Sequence, residues 1–133
     1  MRFLETTDVP PLQSVLHQLK YAITADPDAE ICCAACSQSI THNKERIEIQ
    51  GGSEHVFTNA SGFTFYIICY RQAPGCIQTG IPTAEYSWFG DYTWCYAVCG
   101  NCGVQLGWYY IGSNRSFHGL IKNRLIEHKS GKL

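Results

Sequence analysis

The sequence predicts a mostly β protein built from antiparallel sheets and preceded by one short helix. Short alternating runs separated by Gly and Pro turns carry the β reading. Two Cys-x-x-Cys pairs, Cys33-Ala34-Ala35-Cys36 and Cys99-Gly100-Asn101-Cys102, predict a clasp between distant segments. Trp88, Trp94 and Trp108 gather around the second pair and predict an aromatic box beside it.

Leu12, Val15, Leu16, Leu19 and Ile23 recur at helical spacing, with Pro10 and Pro11 suited to a first turn. Asp26-Pro27 stops that helix. Residues 1–29 are therefore expected to be an extension carrying an amphipathic helix, residues 30–125 the ligand-binding domain, and residues 126–133 a tail. Arg46–Gln50 alternates, with Ile47 and Ile49 on one face, and Gly51-Gly52 turns the chain. Phe63–Tyr70 is rich in aromatic and β-branched residues, as a strand buried on both faces should be. Pro74-Gly75 turns the chain again. In Tyr92–Cys99 the alternation puts Trp94, Tyr96 and Val98 on one face. In Val104–Tyr110 it puts Leu106, Trp108 and Tyr110 together. Such strands build a sandwich or an open barrel.

Composition bounds the function. The chain has 133 residues, of which 45% are hydrophobic and 16% charged, a globular balance for one domain. Its formal net charge of −1 gives no electrostatic case for nucleic acid or a membrane surface. No apolar run approaches the ~18 residues that cross a bilayer. The N-terminus lacks an export signal, so a reducing, cytoplasmic location is expected. Eight cysteines in that setting point to metal ligands and buried thiols rather than disulfides.

Cys33, Cys36, Cys99 and Cys102 have the spacing of a structural zinc site. Zinc takes four tetrahedral thiolates, and two intervening residues let both sulfurs of a pair reach one ion. Cys99–Gly103 suits the tight turn well and Cys33–Ser37 adequately. Cys32 competes with Cys33, but its spacing to Cys36 is less suited to the turn. Four ligands leave no open position, so the ion is structural. Cys69, Cys76 and Cys95 read as small buried hydrophobes.

The three indoles, with Tyr110 on the face of Trp108, can wall a small flat pocket. Gly90-Asp91 turns the chain between Trp88 and Trp94, so their rings can face one another. Such a box suits a quaternary ammonium, held by cation–π attraction, or a flat neutral ring, held by stacking and edge hydrogen bonds. Glu85 and Asp91 are the acids a cation would want.

Glu85-Tyr86-Ser87-Trp88-Phe89, Tyr92-Thr93-Trp94, Cys99-x-x-Cys102 and Gly107-Trp108-Tyr109-Tyr110 together resemble the CULT domain, the thalidomide-binding domain of the cereblon family. Ser116–Leu120 resembles that domain's closing strand, and Cys33-x-x-Cys36 its first zinc pair. The resemblance spans about residues 30–125. It implies a β-tent, two antiparallel sheets pinned by zinc. It also implies a cage of Trp88, Trp94 and Trp108 over Tyr110, where other members carry phenylalanine.

Such a cage takes the glutarimide ring of thalidomide-type drugs, and related hydantoins or uracil-like rings. Tyr86, Ser87 and Trp88 line the imide edge and Asn59 approaches from a neighbouring loop. Tyr86 replaces a histidine of the animal proteins, and Ala60 a proline. The chain has no room for the Lon-like domain, so it resembles the stand-alone bacterial members rather than a whole ubiquitin-ligase receptor. The implied role is non-enzymatic binding of a small molecule, with no protein partner specified. Two alternatives compete. Zinc-clasped tents also resemble methionine sulfoxide reductases, for which Cys95 is the spare thiol. A methyl-ammonium reader would use the same box.

Overall fold

The computed structural model describes residues 26–129, so the helix expected within residues 1–29 lies outside the described residues. Among the described residues nine strands form two antiparallel sheets. They are β1 (Ala29–Cys33), β2 (Ser39–His42), β3 (Glu54–Thr58), β4 (Thr64–Tyr70), β5 (Cys76–Thr83), β6 (Thr93–Cys99), β7 (Gln105–Ile111), β8 (Ser116–Ile121) and β9 (Leu125–Lys129). The smaller sheet has the order β2-β1-β9 and the larger β3-β4-β8-β7-β6-β5. This is the two-sheet, mostly β architecture expected of a tent. The last strand pairs along β1 from Cys33↔Leu125 to Ala29↔Lys129. Residues 126–129 thus belong to the sheet rather than to a tail, and β9 is the last strand among the described residues.

Side-chain alternation gives the larger sheet two different faces. Ile67 and Ile68 are neighbours in β4 but join separate cores, as do Leu120 and Ile121 in β8. One face packs on the smaller sheet, where Ile68, Tyr70, Leu106 and Leu120 meet Ile31, Ile40 and Leu125. The other carries an aromatic core of Phe65, Trp94, Trp108, Tyr110 and Phe117, with Phe89 buried among them.

Two expectations change. Ile47 and Ile49 are buried as predicted, but Arg46–Gln50 is not a strand. It makes isolated bridges only, Arg46↔Tyr70 and Ile49↔Gly52, because it caps the aromatic core as a crossing segment. Leu106 does not share a face with Trp108 and Tyr110. Ala97 pairs with Gly107 while Val98 pairs with Gln105, so Leu106 is the extra residue of a bulge. It turns into the core beneath the smaller sheet.

A charged cluster closes one flank. Glu54 accepts hydrogen bonds from the Arg46 guanidinium and the Tyr66 hydroxyl. Lys122 is 1% exposed, with Nζ 3.8 Å from Glu54 and 4.3 Å from the Tyr66 ring centroid. Burial alone would raise the Glu54 carboxyl, but the Tyr66 and Arg46 bonds and the Lys122 charge hold it below its usual value.

Gly75, in the turn before β5, packs directly against β2. Its N–H donates to Ile40 O at 3.0 Å, and its carbonyl accepts from Gly100 N at 2.8 Å. A Cβ here would lie 2.1 Å from Ser39 O and 2.7 Å from Ile40 Cα. Both are backbone atoms, so no rotamer change relieves the clash. Gly75→Ala is expected to destabilise the fold by at least about 2 kcal/mol, read as a lowered denaturant midpoint. An unchanged midpoint would remove this contact from the account.

His118 supplies a pH dependence. It is 5% exposed, its Nε2 lies 2.9 Å from the Gln78 amide nitrogen, and its Nδ1 has no partner. Burial pushes its pKa down from 6.5 to about 4. The unfolded chain therefore binds the extra proton first as pH falls. The stability that neutral His118 supports is fully present above about 6.5 and is lost progressively toward about 4. That loss is expected to be on the order of 3 kcal/mol in wild type and much smaller in His118→Gln. Denaturant curves at pH 7 and pH 4 measure it, and parallel losses in both proteins would contradict it.

Candidate metal centre and aromatic face

The two cysteine pairs fold into matching turns. Cys33 ends β1 and Cys99 ends β6. In the first turn Ser37 N donates to Cys33 O at 2.8 Å, and in the second Gly103 N donates to Cys99 O at 2.9 Å. Ser37 and Gly103 both adopt the left-handed conformation, at φ 69° and 80°. Glycine takes that conformation without penalty and serine does not, which is why the second turn was the clearer of the two in the sequence. Asn101 N also points at Cys99 Sγ, 3.4 Å away.

The four sulfurs lie within 4.8 Å of one another. Cys33 and Cys102 are 3.8 Å apart and Cys36 and Cys99 3.6 Å. A tetrahedral ion with bonds of about 2.3 Å to sulfur requires sulfur separations of about 3.8 Å. The group can therefore hold one metal ion. Cys32 is buried beside Cys33 but stands outside the group. Burial pushes the Cys33 thiol up to about 12, while a hydrogen bond from the Asn101 side chain pulls Cys36 down to about 6. Cys69, Cys76 and Cys95 are buried, as expected.

The smaller sheet and the clasp lie on one face of the larger sheet, and the indoles lie on the other. Clasp and box are connected through the β6–β7 hairpin rather than touching. Cross-strand pairing sets Trp94 opposite Tyr110, and Tyr96 opposite Trp108. Trp108 is wholly buried, and Trp88 meets it edge to face at 5.1 Å. The Trp94 indole N–H donates to Glu85 O at 2.6 Å, so it fastens the loop that bears Trp88. In that loop Tyr86 is exposed with φ 58°, and Ser87 Oγ donates to Phe89 O at 3.0 Å. Tyr110 is buried deeper, stacked on Phe117 at 4.8 Å and edge-on to Phe89.

Asn59 sits in the β3–β4 turn. Its Oδ1 accepts from Ser61 N and Phe63 N, both at 3.0 Å, so this oxygen shapes its own loop. Sequence reasoning missed Phe57 and the role of Phe89. Phe57, on β3, stacks on Trp88 at 4.9 Å. Phe89 is fully buried and packs edge-on against His55, Phe57, Tyr110 and Phe117. An aromatic residue directly after Trp88 was visible; that it is the buried anchor of the loop was not. An open cavity of about 490 Å³ lies farther along the same loop, between Ile49–Gln50, Gly90–Tyr92 and Gly112–Arg115. None of the residues expected to bind ligand lines it. Cys95 is buried, and burial raises its pKa, the wrong direction for a nucleophile.

Among the described residues no helix is long and apolar enough to cross a membrane. No family model matches the chain. It is similar to protein cereblon of Gallus gallus, with 27% identity over 103 residues, covering 72% of this chain and 23% of that protein. Protein cereblon of Xenopus tropicalis is 28% identical over 102 residues, covering 71% of this chain and 23% of the relative. The chain thus spans about a quarter of the length of the curated relatives it matches.

Proposed function

We propose that this chain is a non-enzymatic small-molecule binding domain of the CULT type, stabilised by a structural zinc ion. Its ligand is a cyclic imide of the glutarimide class, or a hydantoin or uracil-like ring with the same edge. The observation that carries this reading is the gathering of Trp88, Trp94 and Trp108 on one face of the larger sheet, in a chain similar to cereblon. Trp108 and Trp94 supply fixed walls, since both are buried. Trp88 is half-buried, and no described residue takes its indole N–H. The ligand enters by displacing Trp88 from the edge of Trp108. The imide presents acceptor, donor and acceptor in a row, and the Trp88 indole and the backbone of Tyr86 and Trp88 meet them. Burying the imide N–H unpaired would cost about 1–3 kcal/mol, so this pairing sets selectivity. Ser87 holds the loop, Tyr110 supports the base, and Asn59 offers its amide nitrogen from the side.

Zinc is the ion the four thiols suit, because the set is all sulfur, tetrahedral in spacing and without an open position. Bound there, it supplies cross-linking rather than chemistry.

Two measurements test these assignments. Metal analysis of purified protein is expected to give one zinc per chain, lost with soluble folding in Cys33→Ser and retained in Cys32→Ser. Full zinc in Cys33→Ser would reassign the ligands. Titration with glutarimide is expected to quench indole fluorescence, and Trp88→Ala to weaken binding at least about tenfold, since a central aromatic contact typically exceeds 1 kcal/mol. Equal affinity in both proteins would sink the imide reading. Quenching by choline but not by imides would replace it with a methyl-ammonium reader.

A further inference from the structure

Among the described thiols outside the four-sulfur group, Cys76 alone has a cysteine directly opposite it on a neighbouring strand. Its partner in the β5–β6 register is Cys99, one of the four. Gly100 N donates to Gly75 O at 2.8 Å, which bonds the residue after Cys99 to the residue before Cys76. That pattern marks Cys76 and Cys99 as a non-hydrogen-bonded antiparallel pair, for which Cα atoms lie roughly 4.5 Å apart and the side chains approach most closely. Disulfides span Cα separations of roughly 4.4–6.8 Å, a range that includes pairs of this kind. Both side chains are buried in the same core, 8% and 2% exposed. Cys95 faces Tyr109 instead, and Cys32 faces Ile126.

We propose that Cys76 and Cys99 form a thiol–disulfide site, and that hydrogen peroxide oxidises it and so takes Cys99 out of the metal-holding group. The Cys99 thiolate sulfur attacks the peroxide O–O bond. That bond breaks, Cys99 becomes a sulfenic acid, and the departing oxygen leaves as water on taking a proton. The Cys76 sulfur then attacks the Cys99 sulfur. The S–S bond forms, the S–O bond breaks, and the hydroxyl leaves as a second water with the Cys76 proton. Two thiols are oxidised and one peroxide is reduced to two waters. Cys76 belongs to no ligand set and sits across the strand from its target. Burial pushes its thiol up to about 12, so it reacts as the thiol and its proton leaves with the hydroxyl. Three sulfurs remain for the ion, one short of a closed tetrahedral site.

The metal-release part of this inference rests on the zinc assignment; the disulfide does not. Zinc-loaded protein is treated with hydrogen peroxide, free thiols are alkylated, and linked peptides are mapped by mass spectrometry while a chromogenic chelator follows released zinc. Wild type is expected to give a Cys76–Cys99 peptide that accumulates with the released metal. Cys76→Ala should lose the peptide and the early phase of release, whereas Cys95→Ala should retain both. Oxidation that links only members of the four-sulfur group, or release from Cys76→Ala at the wild-type rate, would overturn the proposal. Protein that purifies without zinc would defeat the zinc assignment, and the peptide map would still decide the disulfide.

Discussion

Four thiols on two turns lie within 4.8 Å of one another, where the segments on which the rest of the structure depends come together. Cys33 terminates the central strand of the smaller sheet, and Cys99 terminates a strand of the larger one. Ionised sulfurs at such spacing repel, and burial makes the repulsion worse, so a cation is the natural way to hold them. Around that point the backbone closes tightly. Gly75 bonds to β2 on one side and to the second cysteine turn on the other. Ala34 N donates to Arg124 O, and Arg124 Nη1 donates to Gln105 O, linking the first turn to the start of β7. The apolar core between the sheets lies directly beneath.

The aromatic face depends on the clasp at one remove. β6 and β7 leave the clasp as a hairpin, and further along its far face it presents Trp94, Trp108 and Tyr110. The bulge at Leu106 lets both regions pack well. Without the extra residue, Leu106 would stay in phase with Trp108 and leave the inter-sheet core. With it, one strand feeds both cores. The Gln105 side chain spans the irregularity by donating to Gly107 O at 3.3 Å.

Much of this was legible in the residues. The Cys-x-x-Cys spacing, a largely buried strand within Phe63–Tyr70 and the position of the Gly75 turn all follow from local chemistry, although Phe63 itself is exposed and precedes β4. What escaped is non-local. Ile47 and Ile49 alternate like a strand, and the alternation reports burial correctly. Whether such a segment finds a pairing partner depends on the sheet edge available to it, which periodicity does not encode. The Leu106 bulge is likewise a property of two strands. Phe57 and Phe89 are ordinary aromatics in sequence, and only the approach of β3 to the Trp88 loop makes them neighbours. Motifs brought the expected site residues into view, but the rings that support them are set by topology.

That support divides the work among the tryptophans. Trp108 is fixed in its strand with no exposed surface, and Trp94 spends its N–H on Glu85. Phe89 sinks into the aromatic core and anchors the loop next to Trp88, burying a ring worth about 1.5–3 kcal/mol. Trp88 is thereby held at its backbone on both sides while its ring rests between Phe57 and Trp108. A ring stacked on Phe57, tilted against Phe65 and edge-on to Trp108 can move without unfolding the loop that carries it. On the proposed reading, binding then costs the Phe57, Phe65 and Trp108 contacts of one side chain, and the ligand's faces offer replacements. Under that proposal, recognition comes from one adjustable indole working against two that are buried in the sheet.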